Sequence, residues 1–394
     1  MTSFPSTRKL MSTRSSSSPL LDSNYWLSEA FGLAREGMAL AHPNPRVGAI
    51  VVKDGQKISE GFHEYDKRDH AEVVALKKAG KNARGASLYV SLEPCCTTGR
   101  TGPCTKAIIA AGIEKVYAPM KDPNPAVAGR GFAALKRAGV EVRLLERDLE
   151  YARETNEDFA KWIRTGLPFV TLKTALTLDG QIAQRAGSVT WITSKESLAA
   201  VQRVRHQADA LLTGIGTILA DDPRLTDRSG QPRRRRLLRV VLDSDLRLPL
   251  RSNLVTHAKN DVLVFTRQSP DSSRARALAK AGVEVRQLRG EWGRIDLKAV
   301  LRELGKREIL NLLIEAGAEV NGAALQAGIV DKMILFYAPK VMGTGGEPMA
   351  RIPSRWFSKS PALKNLSLNQ CGPDFVVQGY FRDVYRDHRA RRKN

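Results

Sequence analysis

Three short stretches in the first third of the chain carry side chains whose types and spacing could do chemistry: His70-Ala71-Glu72, Pro94-Cys95 and Cys104. One imidazole and two thiolates supply three zinc ligands and leave a fourth position for water, which is the arrangement of a catalytic rather than a structural site. A Lewis acid is needed because water at neutral pH is a poor nucleophile toward an amidine carbon, whereas zinc lowers its pKa by several units. Successive residues of a helix diverge by about 100°, so His70 and Glu72 do not both ligate one ion. The Glu72 carboxylate is left to take the water proton and pass it to the leaving nitrogen. Cys96 competes with Cys95 as a ligand, but the residue directly after Pro94 fits the H-x-E…P-C pattern better. The chemistry expected is hydrolytic loss of an amino group from a nitrogen heterocycle.

The elements that must position these groups alternate between strand and helix. A helical pattern runs from Asn24 to about Ala41, and Val47–Val52 and Gln56–Gly61 flank the hairpin turn Lys53-Asp54-Gly55. A helix His70–Ala79 closed by Gly80, a strand Ser87–Leu92 and a helix Cys104–Ala111 closed by Gly112 follow. The strand Lys115–Ala118, a helix near Gly129–Ala138 and the strand Val140–Leu145 complete an α/β sandwich. Residues 148–166 read as a linking helix, and Gly166-Leu167-Pro168 punctuates the chain before a new strand, Phe169–Leu176. The second half alternates again: a helix Lys195–Gln207, strands Ala210–Thr213, Arg239–Leu242 and Val262–Thr266, a helix Leu297–Gly305, and strands Ile309–Ile314 and Lys332–Ala338. That order implies a mostly parallel sheet covered on both faces. Thr213-Gly214-Ile215-Gly216 has no third glycine to complete a dinucleotide fingerprint and reads on its own as a tight turn.

Composition bounds these readings. A chain of 394 residues suggests two domains, and 42% hydrophobic with 26% charged residues is ordinary for a globular protein. No apolar run approaches the roughly 20 residues of a membrane span. Three of the four cysteines fall within ten residues, which favours a metal in a reducing cytosol over disulfides. The net charge of +22 could report an anionic partner, but much of it sits in Arg233–Arg236 and in Arg386–Lys393, which read as a solvated loop and a frayed terminus. The first 20 residues contain no acid and read as a leader or an organellar transit peptide. The expected location is cytoplasmic, or organellar if that leader is a transit peptide.

Pro43-Asn44-Pro45-Arg46-Val47-Gly48, Gly61-x-His63, His70-Ala71-Glu72-Val73, Glu93-Pro94-Cys95, Gly99-Arg100-Thr101-x-Pro103-Cys104 and Asp122-Pro123-Asn124-Pro125 closely resemble the riboflavin-pathway pyrimidine deaminase. The eight residues between Cys95 and Cys104 are a specific feature, because nucleoside and tRNA-editing deaminases have two there. The resemblance implies that Asn44 and His63 line the base pocket and that Arg100 helps hold the substrate phosphate. Lys67, Thr97 and Gly102 depart from the family, which usually has Gly, His and Pro there.

Further on, Lys173-Thr174-Ala175-Leu176-Thr177-Leu178-Asp179-Gly180, Trp191-Ile192-Thr193, Thr217-Ile218-Leu219-Ala220-Asp221-Asp222-Pro223-Arg224-Leu225-Thr226 and Asp243-Ser244 resemble the reductase domain fused to that deaminase. The resemblance implies a cytidine-deaminase-like α/β/α sandwich over 24–166 and a dihydrofolate-reductase-like α/β domain over 167–382; composition adds a disordered leader, 1–23, and a basic tail, 383–394. It implies that Ala175, Trp191, Thr217, Asp221, Ser244 and the Gly317 loop contact NADPH, and that Arg205, Leu225, Arg228 and Glu315 contact substrate. The arginines suit a ribose phosphate, which takes bidentate guanidinium partners. Val189 replaces a small hydroxyl residue, and Ala316 replaces a glycine where a methyl would be costly if the backbone required positive φ.

The function implied is two consecutive riboflavin-pathway steps: hydrolysis of a pyrimidine 2-amino group, then hydride transfer from NADPH to C1′ of the ribosyl chain to give ribityl. The expected cofactors are Zn2+ and NADPH and the expected partner is a small phosphorylated pyrimidine, with no membrane and a homo-oligomer left open. Two other readings compete. One is a deaminase with a degenerate second domain, motivated by Val189 and Ala316; the other is a nucleic-acid-editing deaminase, motivated by the charge and opposed by the cysteine spacing and the whole second half.

Overall fold

The computed structural model describes residues 23–187, 190–290, 293–353, 355 and 361–386. The expectations for the leader, for Val189 and for most of the basic tail lie outside the described residues. The chain folds as two compact units, one of 23–165 with Pro232–Arg235 and one of Gly166–Gln231 with 236–386. Among the described residues no helix is long and apolar enough to cross a membrane.

The first unit runs α1 (Ser23–Glu36), β1 (Gly48–Lys53), β2 (Gln56–Phe62), α2 (Ala71–Ala79), β3 (Ser87–Val90), α3 (Cys104–Ala110), β4 (Lys115–Ala118), α4 (Arg130–Arg137), β5 (Glu141–Leu144), α5 (Leu149–Thr155) and α6 (Glu157–Thr165). The sheet order is β2-β1-β3-β4-β5, with β1 antiparallel to both its neighbours and the rest parallel. Lys53 pairs with Gln56 across Asp54 (φ 52°) and Gly55 (φ 75°), the left-handed pair of a two-residue hairpin turn. Strand residues alternate faces, so Ala49 and Val51 pack with Ala75, Ile108 and Leu135 of α2, α3 and α4, while Ile50 and Val52 pack with Trp26 and Ala30 of α1. Both faces of the sheet are thereby covered.

Two expected helices differ in ways that matter for the site. The first ends at Glu36 rather than near Ala41, because Gly37 starts a turn and Ala39 takes φ 58°, which sends the chain back toward Pro43. The expected linking helix over 148–166 is broken at Asn156. That side chain accepts the Arg46 N–H at 2.8 Å and donates to the Arg46 carbonyl at 3.0 Å, so pairing with a loop replaces one helical turn.

The second unit comprises β6 (Phe169–Thr177), β7 (Gln181–Ala183), α7 (Lys195–Gln207), β8 (Ala210–Gly214), α8 (Ile215–Asp221), β9 (Leu238–Leu242), α9 (Asn253–Thr256), β10 (Val262–Thr266), α10 (Ser273–Lys280), β11 (Val283–Gln287), α11 (Leu297–Lys306), β12 (Asn311–Ile314), α12 (Ala318–Gln326), β13 (Lys332–Ala338), β14 (Glu347–Pro348), β15 (Lys364–Cys371) and β16 (Asp374–Tyr380). Nine strands form one sheet in the order β11-β10-β9-β8-β12-β6-β13-β16-β15, parallel from β11 to β13 and antiparallel beyond. Leu212, Leu263 and Ile314 pack with Val300 and Leu304 of α11, whereas Leu211, Val264 and Leu313 pack with Ile218 and Leu278 of α8 and α10. The Thr213–Gly216 stretch is a strand-to-helix junction rather than a free-standing turn, with Gly214 as the N-cap of α8. A Cβ on Gly214 would lie 2.8 Å from Val320 Cγ2 of α12, so close helix packing accounts for the glycine.

Candidate active sites

In the first unit the chain delivers a metal-binding set to the ends of two helices. His70 is the N-cap of α2 and Cys104 is the first residue of α3. Gly61 lets α2 reach β2, because a Cβ there would sit 2.6 Å from the Ala71 carbonyl. His70 Nδ1 lies 3.2 Å from Cys104 Sγ and 3.5 Å from Cys95 Sγ, and the three ligand atoms lie within 4.8 Å of one another. Those edges are near the roughly 3.6 Å of a tetrahedron with zinc bonds of about 2.0–2.3 Å, so the donor set fits a zinc ion in size and in type. Hydrogen bonds from the Cys104 thiol and from His70 hold the Cys95 thiol down at about 4, and burial opposes them. The Cys104 backbone N–H points at the same sulfur at 3.4 Å. Cys96 faces a different groove, between α3 and α4, beside Ile109 and Arg130.

A cavity of about 300 Å³ opens on this cluster and is lined by Asn44, His63, Glu72, Arg100, Asp122 and Trp162 among others. Glu72 is 3% exposed, and burial pushes its carboxyl up to about 7. Burial drives His63 the other way, down to about 4, so its ring is neutral. His63 Nδ1–H therefore donates to the Asp69 carbonyl at 2.9 Å and Nε2 accepts from Asn44 Nδ2 at 3.0 Å, a pairing fixed by the donor types. The Arg100 Nη1 donates to the Tyr65 carbonyl at 3.2 Å, and its guanidinium stands 4.0 Å from the Tyr65 ring centroid.

Sequence reasoning gave no role to two parts of this cavity. Asp122, in the Asp-Pro-Asn-Pro motif, is buried, and desolvation pushes its carboxyl up to about 7. The buried Glu93 carboxylate places it, accepting the backbone N–H groups of Asp122, Gly129 and Phe132 at 2.9, 2.8 and 3.1 Å. Phe159, Trp162 and Ile163 of α6 form another wall, so the supposed linker is part of the pocket. Of the three departures, Lys67 points outward to Glu64 at 2.6 Å, and the left-handed residue of that turn is Arg68 (φ 67°) rather than Lys67. Thr97 lines the cavity, and a Cβ on Gly102 would meet open space.

In the second unit a cavity of about 640 Å³ lies along the carboxyl ends of the central parallel strands, where open α/β sheets bind ligands. It brings together Ala175, Arg205, Thr217, Asp221, Leu225, Glu315 and Gly317 of the expected set. Trp191, Arg228 and Ser244 lie outside it: Trp191 is 76% exposed, the Arg228 N–H donates to Gln202 Oε1, and the Ser244 carbonyl accepts from Arg267. Arg205 grips Glu315 with a two-pronged pair, Nε–Oε1 2.9 Å and Nη2–Oε2 2.7 Å, while its Nη1 donates to the Thr226 carbonyl at 3.1 Å. Burial pushes Glu315 up, but the charges of Lys173 and Arg205 outweigh it and hold the carboxyl below its ordinary value. Burial lowers Lys173, a residue sequence reasoning passed over, against the pull of Glu315. Partial burial raises Asp221. Ala316 also lines the cavity and has no left-handed backbone, so the conformational cost expected of its methyl does not arise.

With this geometry in hand, the similarities to known proteins are specific. The family model described as the RibD C-terminal domain matches residues 168–377, and the cytidine and deoxycytidylate deaminase zinc-binding region matches 21–120. The riboflavin biosynthesis protein RibD of Aquifex aeolicus is 40% identical over 91% of this chain and 98% of its own, and that of Escherichia coli is 37% identical over 91% and 99%. Among solved structures, Acinetobacter baumannii RibD superposes with a TM-score of 0.81 at 37% identity, covering 92% of this chain and 99% of that one. A Thermotoga maritima protein titled diaminohydroxyphosphoribosylaminopyrimidine deaminase/5-amino-6-(5-phosphoribosylamino)uracil reductase gives 0.79 at 34%, covering 91% and 98%. The His/Cys/Cys cluster of the first unit and the strand-end cavity of the second are thus two halves of one bifunctional enzyme: the chain belongs to the RibD family of riboflavin biosynthesis, with a zinc-binding deaminase domain and an NADPH-using reductase domain.

Proposed function

We propose that the first unit deaminates diaminohydroxyphosphoribosylaminopyrimidine and that the second reduces the ribosyl side chain of the resulting phosphoribosylaminouracil to ribityl. The reading rests on one juxtaposition above all, a buried carboxyl at Glu72 that shares a small cavity with the His70, Cys95 and Cys104 donors. His70, Cys95 and Cys104 hold the ion, and zinc supplies the Lewis acid that makes water nucleophilic at neutral pH. Glu72, raised toward neutrality, takes the proton from water and returns it to the departing nitrogen, so that ammonia leaves. Neutral His63 orients Asn44, whose carbonyl oxygen is left to accept from the base. Arg100 meets the phosphate at the cavity rim.

In the second unit NADPH, when bound, would supply the hydride for reduction at C1′. Thr217, Asp221, Ala175 and the Gly317 loop, which line the cavity, would hold the dinucleotide, and Trp191 and Ser244 would contribute from beyond the cavity. Arg205 keeps Glu315 ionised and fixed, so Glu315 and Lys173 address the ribosyl hydroxyls, while Leu225 and Arg228 flank the substrate. Asp221 and the protonated amine of the substrate remain the two proton sources for this step. Incubating the zinc-loaded full chain with the diaminopyrimidine tests the reading: the uracil should accumulate without NADPH and the ribityl compound with it. Accumulation of the uracil in both would restore the degenerate-domain reading.

A further inference from the structure

The run Arg233–Arg236, read from sequence as solvated, does something more specific. Pro232–Arg235 folds as part of the first unit although most of its neighbours in sequence belong to the second. The Arg234 N–H donates to the Ala39 carbonyl at 2.9 Å. Its Nη1 donates to the His42 carbonyl at 3.2 Å and its Nε to Asp66 Oδ1 at 2.7 Å. Its guanidinium carbon stands 4.0 Å from the Tyr65 ring centroid, the same distance as that of Arg100. The next residue, Arg235, meets His42 Nε2 at 2.7 Å. Two cations therefore converge on one aromatic ring, and Tyr65 and Arg100 both line the deaminase cavity whereas Arg234 does not. Arg234 also ties the Tyr65–Asp66 turn to the His42 carbonyl, two residues before the pocket residue Asn44.

We propose that Arg234 is a positioning residue of the deaminase: it braces the Tyr65 ring against the Ala39–His42 turn and so holds Arg100 toward the substrate phosphate. A guanidinium over an aromatic face is attractive, and its planar fork supplies the directed donors that a lysine lacks. Two cations on one ring repel each other, and an anion at the cavity rim relieves that repulsion. The brace therefore favours the phosphorylated substrate over its dephosphorylated counterpart. The idea rests on the proposed phosphate role of Arg100.

The test uses the full-length zinc-loaded enzyme and compares Arg234→Ala, Arg234→Lys, Arg100→Ala, the double variant Arg234→Ala/Arg100→Ala, and Arg236→Ala, whose side chain is exposed and lies outside this unit. Losing one charge-assisted contact should raise the deamination KM of Arg234→Ala roughly tenfold with kcat nearly constant. Lysine should restore part of the loss, and Arg236→Ala should change nothing. Reduction of pre-deaminated substrate and zinc content should match wild type in all variants, which also reports folding. In the double variant the Arg234 effect should largely vanish, because both changes act on one contact. An unchanged KM in Arg234→Ala beside a raised KM in Arg100→Ala overturns this proposal and leaves the Arg100 reading standing. Equal effects of Arg234→Ala and Arg236→Ala overturn it in favour of a diffuse field. An unchanged KM in Arg100→Ala overturns both.

Discussion

The two cavities of this enzyme are assembled in opposite ways. The deaminase site draws its metal-binding donors and its buried carboxyl from one stretch, with His70 and Glu72 at the start of α2 and Cys95 and Cys104 around one loop. The reductase site gathers Lys173 from β6, Arg205 from α7 and Glu315 from the end of β12, and Arg205 and Glu315 are 110 residues apart. They meet because β12 inserts between β8 and β6, so that strands distant in sequence end side by side. Metal chemistry demands particular atom types at bonding distance. Hydride transfer brings its reactive atom with the cofactor and asks the protein mainly for shape and a few charges.

The largest expected effect tests that locality. Cys104→Ser and Cys95→Ser should each lose zinc and with it nearly all deamination, while reduction of pre-deaminated substrate continues. Cys96→Ser should keep its metal, since Cys96 lines the groove between α3 and α4 instead. Metal analysis showing zinc loss on Cys96→Ser would move the ligand set and break the comparison. Next comes Glu72→Gln, which should retain zinc and lower deamination by about 10²–10⁴-fold, the usual share of general acid–base catalysis. An equal fall in the reduction rate would show that the sites are not separate.

How much could be read in the sequence follows the same division. The zinc donors and Glu72 were legible because thiols and an imidazole at that spacing have few other uses, and β4, α7, β10 and β13 were legible from dense apolar runs or clear helical period. Asp122 and the α6 wall were hidden, since a loop acid and a helix that pairs with Arg46 look local until the fold closes. Lys173 lies within an apolar strand pattern, where a lone cation draws no attention. The edge strands β11 and β15 were missed because edges carry mixed polar residues, as in Val-Glu-Val-Arg-Gln. Arg234 looked like solvent-facing charge, because nothing in a run of four arginines says which one turns inward.

A smaller effect distinguishes two roles for Arg205. Its three nitrogen positions are engaged by Glu315 and the Thr226 carbonyl, which argues for a brace on Glu315 rather than a free phosphate ligand. Arg205→Ala should lower reductase kcat/KM by roughly one to two powers of ten, as loss of charge-assisted hydrogen bonds of about 1.5–3 kcal/mol implies. The pH profile carries the discrimination. Burial raises the Glu315 carboxyl while Lys173 and Arg205 lower it, so removing Arg205 leaves burial less opposed and the group protonates at higher pH. The acid limb of the reductase profile should therefore move upward, with NADPH affinity little changed. A fall in kcat/KM with an unmoved acid limb would assign Arg205 to the phosphate alone.

The smallest expected effect bears on how tightly the second half holds its cofactor. Ala316 stands between Glu315 and Gly317 on the cavity wall, where the sequence resemblance leads one to expect a glycine, and a methyl there would be damaging in one of two ways. The first, a left-handed backbone, is absent, because Ala316 is not among the residues with positive φ. The second is obstruction of the cofactor, and it is the one left to measure. If the methyl merely lines the cavity, Ala316→Gly should change NADPH affinity by less than about threefold, that is by less than about 0.7 kcal/mol at 1.4 kcal/mol per tenfold. Any cost should appear instead in stability, since glycine loses more conformational freedom on folding than alanine, by roughly 0.5–1 kcal/mol within regular structure. Fluorescence titration of NADPH against both proteins, with thermal melts alongside, separates the two. A gain of tenfold or more in affinity would show that the methyl obstructs the cofactor and that this reductase works below the capacity of its own fold.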